Sequence, residues 1–324
     1  MSTHLFGAVV TSYGTAANNR GENEGNVTTL QKLLWRGEVH TTVSAEAIRW
    51  AVRYFWQRKA ELGDARLTTN RRWDEVREDN VMRDPTWAAW KADKVDAAAT
   101  YIDDDVLGFM LAEGAKEEVD AAPGDGKRKK GAKPAKGTIS KRRGALEVTR
   151  AVSTSPFAGD LTFNAKSGTK GSTSLYSTEV HATRYQYGFA ITPARLAVPA
   201  RVYDVLDAVV GLGEVAGNHS RFLYDFAPES VVFRVTDDMA PRLLYCFQER
   251  DGAVDLPDLV RRVEGGDIKP GELVIGGAVS TSEGALALKK AGVEVVGGVR
   301  AAAEEVHKRL RARPDLAALA GAKT

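Results

Sequence analysis

Apolar and polar positions along the chain follow two periods, and the longer one is clearest between residues 40 and 59 (HTTVSAEAIRWAVRYFWQRK). There Ala47, Ile48, Ala51, Val52 and Phe55 recur at the spacing of one helical face. Ser44 precedes them and suits an N-cap, because its hydroxyl can accept from a free amide of the first turn. Glu46 suits the positive end of the helix. Arg49, Arg53 and Arg58 fall outside the stripe, which predicts a helix packed on one side and cationic on another. A second amphipathic helix is predicted over 199–212, with Val202, Leu206, Val209 and Val210 on one face, and a last one over 299–313. The shorter period marks strands. Residues 5–13 (LFGAVVTSY) have the length and β-branched content of a buried strand, expected to be central. Residues 179–192 alternate, with Val180, Ala182, Tyr185, Tyr187, Phe189 and Ile191 as β-formers. Further strand signals lie within 222–235, at 242–248, at 273–279 and at 293–296. Residues 144–153 (GALEVTRAVS) read as helical, and 27–35 (VTTLQKLLW) as a short helix or a strand.

Between these segments the chain turns polar. Residues 14–26 (GTAANNRGENEGN) hold three glycines and four asparagines and predict a loop free to take unusual backbone angles. Residues 60–99 place Trp73, Trp87 and Trp90 among many charges and predict a small helical or irregular insertion. Asp103, Asp104 and Asp105 precede a helix start and suit capping better than metal binding, since neighbouring side chains diverge and no second acidic cluster has ligand spacing. From 113 to 143 there is too little apolar surface to offset ordering entropy, so this stretch predicts a basic mobile loop. Residues 127–143 within it carry nine cations and no acid, able to touch nucleic-acid phosphates. Residues 155–177, rich in Ser, Thr and Gly and holding Lys166 and Lys170, predict a projecting hairpin. Gly217, Asn218, His219, Ser220 and Arg221 form a polar turn, and the tail from 314 is expected to fray.

Composition narrows the function classes. With 324 residues, 43% hydrophobic and 27% charged, the chain can bury a sizeable core. A net charge of +2 means that any polyanion site must rest on where the cations sit. The single cysteine, Cys246, excludes an internal disulfide and a zinc site built from several thiolates, and fits a reducing cytoplasm. No stretch reads as a signal peptide or reaches the length of a membrane span. Catalytic signals are weak. There is no GxSxG elbow and no Walker loop. His40 and His219 lie in loops that no nucleophile motif frames, and His181 reads as a half-buried strand residue. Ser280, Thr281 and Ser282 open a helix after a strand, where a phosphate or a simple cap would fit. No metal or cofactor is implied.

Six pieces of this sequence resemble the DevR family of CRISPR Cascade backbone subunits, of type I-B-like systems and the RAMP superfamily. They are Asn19-Arg20-Gly21-Glu22, TTLQKLLW from Thr28, HTTVSAEAIRWAVRY from His40, YIDDDVLGFM from Tyr101, AVSTSPFAGD from Ala151, and STEVHATRYQYGFAIT from Ser177. They keep their order over nearly two thirds of the chain. The resemblance implies an α+β fold: an RRM-like, ferredoxin-like palm over 1–60 and 144–313, with a helical web insertion at 61–111. The basic loop at 112–143, a β-hairpin thumb at 155–178 and the tail at 314–324 complete it. It also implies a non-catalytic cytoplasmic subunit whose partners are crRNA, target DNA through the guide, copies of itself in a helical filament, and other Cascade subunits. RNA gripped without regard to sequence is held through phosphates and 2′-hydroxyls. The residues expected to do so are Asn18, Asn19, Arg20, Lys32, His40, Ser44, Arg49, Lys166, Arg184, Asn218, His219 and Arg221. Lys127, Arg128, Lys129, Lys130, Arg142 and Arg143 are candidates for contact with DNA. Related subunits often carry Ser-Ser-Gln at the helix start, where this chain has Ser44, Ala45 and Glu46; Glu46 cannot donate to phosphate, so Arg49 is the better candidate. Two other readings compete: a RAMP-type guide-processing endoribonuclease or a phosphate-metabolite enzyme, and a nucleic-acid-binding regulator using the basic loop.

Overall fold

The computed structural model describes residues 2–18, 20–91, 95–112, 139–166, 174–216 and 222–321. The chain opens on β1 (His4–Thr11), buried past its first residue. Five strands follow: β2 (Gly14–Ala16), β3 (Arg20–Glu24), β4 (Val27–Leu30), β5 (Lys32–Trp35) and β6 (Glu38–Val43). Then comes α1 (Ala45–Glu61), where the Ala47 amide donates to Ser44 Oγ at 3.2 Å, the expected cap. The insertion contains the hairpin β7 (Arg71–Asp74) and β8 (Asp79–Met82), the one-turn α2 (Ala88–Lys91), α3 (Ile102–Leu107) and β9 (Gly108–Ala112). β9 pairs with β10 (Ile139–Arg143). The chain re-enters the main sheet through β11 (Leu146–Val148) and β12 (Ala151–Ser153) and projects as β13 (Leu161–Lys166) and β14 (Ser174–Glu179). It returns as β15 (His181–Thr183) and β16 (Tyr185–Ile191), followed by α4 (Arg201–Val210) and β17 (Pro228–Thr236). The last part runs β18 (Gln248–Arg250), β19 (Ala253–Asp255), α5 (Pro257–Glu264), β20 (Leu273–Gly277), α6 (Glu283–Lys290), β21 (Glu294–Val296), α7 (Val299–Arg311) and α8 (Pro314–Gly321).

This is the expected α+β class. The main sheet runs β21-β20-β17-β1-β16-β12-β6-β5, with β11 also paired to β16. β1 lies antiparallel between β16 and β17, as its uniform burial requires. Period-two alternation along β1 feeds two cores. Leu5 and Val9 face α1, α4 and α7, where Ile48, Val52, Trp56, Val205, Leu206, Val306 and Leu310 pack. Phe6, Ala8 and Val10 face the other way, onto Leu243, Phe247, Leu259, Val263 and Leu288. Gly7 sits where a Cβ would lie 2.1 Å from the Phe189 ring, so only glycine fits there. The segment 243–247 crosses the second face: Leu244 fills the space over Gly188, and Tyr245 packs its ring 4.9 Å from that of Trp35. Both faces of the sheet are therefore covered across β20, β17, β1 and β16, whereas β5 at its end is largely exposed.

Several expectations change. Residues 14–26 are not a loop but hold β2 and β3, and 27–35 resolves into β4 and β5. Residues 144–153 are strands: Ala, Leu and Glu favour a helix, but Leu146 pairs opposite Ile191 and Val152 opposite Gln186. The strand at 179–192 breaks at Arg184 into β15 and β16. Residues 242–247 are a turn, and strand resumes at Gln248. The insertion is mixed rather than helical. Part of the basic stretch, 139–143, is strand β10. Of the tail, Pro314–Gly321 is helical: Asp315 accepts from the Thr3 amide and hydroxyl, both at 2.8 Å, and Arg313 donates to Thr3 Oγ1.

The three aspartates lie inside α3, turned three ways, each spent on protein donors. Asp103 accepts from the amides of Asn70 and Arg71 and from Arg53. Asp104 accepts from Trp87 Nε1 and Asn70 Nδ2, both at 2.9 Å. Asp105 accepts from Arg142, Arg201 and the amides of Ala197 and Val198. They tie insertion, α1 and α4 together. Burial and the neighbouring Asp103 push the Asp104 carboxyl up to about 6.

Candidate nucleic-acid interface

The projecting hairpin does not stand alone. β13 and β14 pair antiparallel, β14 continues parallel to β4, and β4 pairs with β3, giving a four-stranded arm in the order β13-β14-β4-β3. Strand alternation splits β13 and β14 into two faces. Asn164 and Thr178 are buried on one. Leu161, Phe163 and Leu175 share the other and stand 57%, 72% and 55% exposed. Large apolar side chains left in water on one strand face form an apolar contact surface. Arg20 opens β3 on the same arm and is exposed.

A buried polar joint fixes the arm to the main sheet. His40 donates from Nδ1 to the Ser153 carbonyl at 2.7 Å. His181 donates from Nε2 to the Pro156 carbonyl and accepts at Nδ1 from Thr41 Oγ1 at 2.7 Å, and Thr41 in turn meets the Tyr185 hydroxyl at 2.9 Å. Ser155 bonds Thr183. The Leu30 amide and Lys32 both donate to Glu179, each at 2.7 Å. Burial lowers the His181 pKa, which keeps the ring neutral and its two bonds directional, and burial pushes the Tyr185 phenol up to about 12.

Most of the residues expected to touch RNA are committed inside the chain. Asn18 is buried and donates to the Val215 carbonyl at 2.7 Å. His40 belongs to the joint, and Ser44 caps α1. Arg49 donates to the Leu146 carbonyl at 2.6 Å and to the Leu107 carbonyl, while Arg53 pairs with Asp103. The helix therefore turns two of its three arginines inward, and only Arg58, paired with Glu61, faces water. Arg184 is clasped between Glu229 at 2.9 Å and Glu249 at 2.7 Å. Lys32 lies over the Phe157 ring besides pairing with Glu179. Arg142 is held by Asp105 and stacks on Trp90; Arg143 is exposed beside Glu147. Lys166 ends β13. Asn19, Asn218, His219, Arg221, Lys127, Arg128, Lys129 and Lys130 lie outside the described residues. The phosphate-like position at the start of α6 is filled by the chain itself: Asp255 accepts from Ser282 Oγ at 2.6 Å and from the Gly284 amide.

The sequence profile described as "CRISPR-associated negative auto-regulator DevR/Csa2" matches residues 7–266, which takes in α1, the arm and most of the main sheet. The chain belongs to the DevR/Csa2 family. A relative from Myxococcus xanthus (strain DK1622), described as "CRISPR-associated protein Cas7/Cst2/DevR", is 49% identical over 324 residues, 97% of this chain and 99% of the relative. Two solved structures share the fold. One, described as "CRISPR RNA-guided surveillance complex", covers 95% of this chain and 99% of its own, with a TM-score of 0.53 and 14% identity. Another, described as "CRISPR RNA-guided surveillance complex, pre-nicking", covers 94% and 99%, with a TM-score of 0.56 and 16% identity. In this DevR/Csa2 chain the apolar face of Leu161, Phe163 and Leu175 went unmarked in sequence, although its i, i+2 spacing was there to read. Among the described residues no helix is long and apolar enough to cross a membrane, and no group of His, Cys, Asp and Glu could hold a metal.

Proposed function

We propose that this protein is a non-catalytic backbone subunit of a type I CRISPR surveillance complex, lying along the guide RNA beside copies of itself and presenting the guide for pairing with target DNA. The observation that carries the reading is the family match over residues 7–266, which spans sheet and arm alike. The geometry supports it. With both faces covered at the centre of the sheet, the projecting arm is the part best placed to reach a strand. Its apolar face of Leu161, Phe163 and Leu175 suits a wedge between bases, and Arg20 suits a phosphate. A chain of net charge +2 can still serve, because copies along one RNA share the binding and each needs few contacts of its own. His40 supports structure rather than cleavage, being buried and bonded to a backbone carbonyl. Other Cascade subunits and target DNA are the further partners, and the cytoplasm is the expected compartment.

Native mass spectrometry of the chain mixed with guide RNAs of increasing length tests this. The number of copies bound should grow with RNA length, and the RNA should emerge intact. Arg20→Glu should weaken binding about tenfold and reduce its salt dependence. A chain that stays monomeric with RNA of every length, or that cuts repeat RNA cleanly, overturns the reading.

A further inference from the structure

A cleft of about 850 Å³ opens between α2 and the paired strands β9 and β10. Its aromatic wall is Trp87, Trp90 and Phe109, and its cations are Lys91, Lys141, Arg142, Arg143 and Arg195; no acidic side chain lines it among the described residues. The wall is fixed in advance. Trp87 stacks on Phe109 at 4.7 Å and anchors its Nε1 on Asp104. The Arg142 guanidinium lies 4.1 Å over Trp90 and is held by Asp105. Beside this stack two buried donors, Trp90 Nε1 and Arg142 Nε, have no hydrogen-bond partner among the described residues. Arg143 and Arg195 share the single carboxylate of Glu147, so positive charge remains in excess at the rim.

We infer that this cleft is a second nucleic-acid subsite, taking a nucleobase with its phosphate from a single strand other than the guide. A flat ring stacks on the aromatic and guanidinium wall, as bases of single strands do. The phosphate meets Lys141 and Arg143 at the mouth. The volume suits one nucleotide rather than a folded partner. Neither Arg20 nor any residue of the arm's apolar face lines the cleft.

The test uses the full chain saturated with unlabelled guide RNA and a fluorescent nonathymidylate as probe, read by anisotropy. The probe should bind, and Lys141→Glu with Arg143→Glu should weaken it at least tenfold while guide affinity stays within twofold. Trp90→Phe, which keeps a stacking ring, should retain the probe, and Trp90→Ala should lose it. Probe binding that is absent, or unchanged by the charge reversal, overturns the subsite. Displacement of the probe by micromolar AMP overturns the strand as source, because a free nucleotide would then be preferred. If the guide itself does not bind, the same titration on the unloaded chain still decides, since the reversed charges lie outside the arm.

Discussion

Arg49 joins α1 to two carbonyls, Leu107 and Leu146, 58 and 97 positions downstream. In sequence it is one of three arginines beside an apolar stripe, and the stripe itself was readable: Ile48, Ala51 and Val52 are buried and Ser44 caps the helix. The partners were not readable, because a cation carries no mark of what faces it across the fold. Arg184, clasped by Glu229 and Glu249, is the same case. Removing one guanidinium leaves two half-buried carbonyls short of a donor. Arg49→Ala should therefore lower stability by about 2 kcal/mol in a denaturant titration. Arg49→Lys should recover little, because a single ammonium cannot fork to both oxygens. RNA binding per folded molecule should not change in either variant.

At the level of elements, legibility followed burial. β1 and β16 were visible because both faces are dry, which writes a nearly unbroken apolar run into β1 and a string of β-formers into β16. β2, β3 and the strands at 144–153 were missed for different reasons. β2 is only three residues long and β3 has no wide dry face, so polar residues and glycines mask them. β11 and β12 carry helix-favouring residues that pairing with β16 and β6 overrides. Close packing within the sheet gives a stringent prediction. Gly7→Ala would place a methyl 2.1 Å from Phe189 and should cost about 3 kcal/mol, seen as a lowered unfolding midpoint. The arm predicts the reverse pattern. Phe163→Ser removes an exposed ring, so thermal stability should hold. A 2-aminopurine reporter in the guide should lose the fluorescence of an unstacked base.

For the whole molecule, two buried groups set opposed responses to pH. Asp104 keeps its proton more firmly when folded, about 6 against an ordinary 3.8. Its contribution is full below about pH 4 and is lost as pH rises through about 6. His181 is depressed below 6.5 by burial, so its contribution is present above 6.5 and is lost as pH falls through its lowered value. Asp104→Asn should thus gain stability relative to the parent chain between pH 4 and 6. His181→Gln should lose its disadvantage as pH drops below 6.5. Unfolding midpoints measured across that range check both signs.

The clasp of Thr3 by Asp315 and Arg313 has a practical corollary. Thr3 and the start of α8 share one corner of the fold, so a short linker can join them there and the chain can be reopened elsewhere. A circularly permuted version, cut between Val76 and Arg77 at the exposed β7–β8 turn, should fold with its sheet intact.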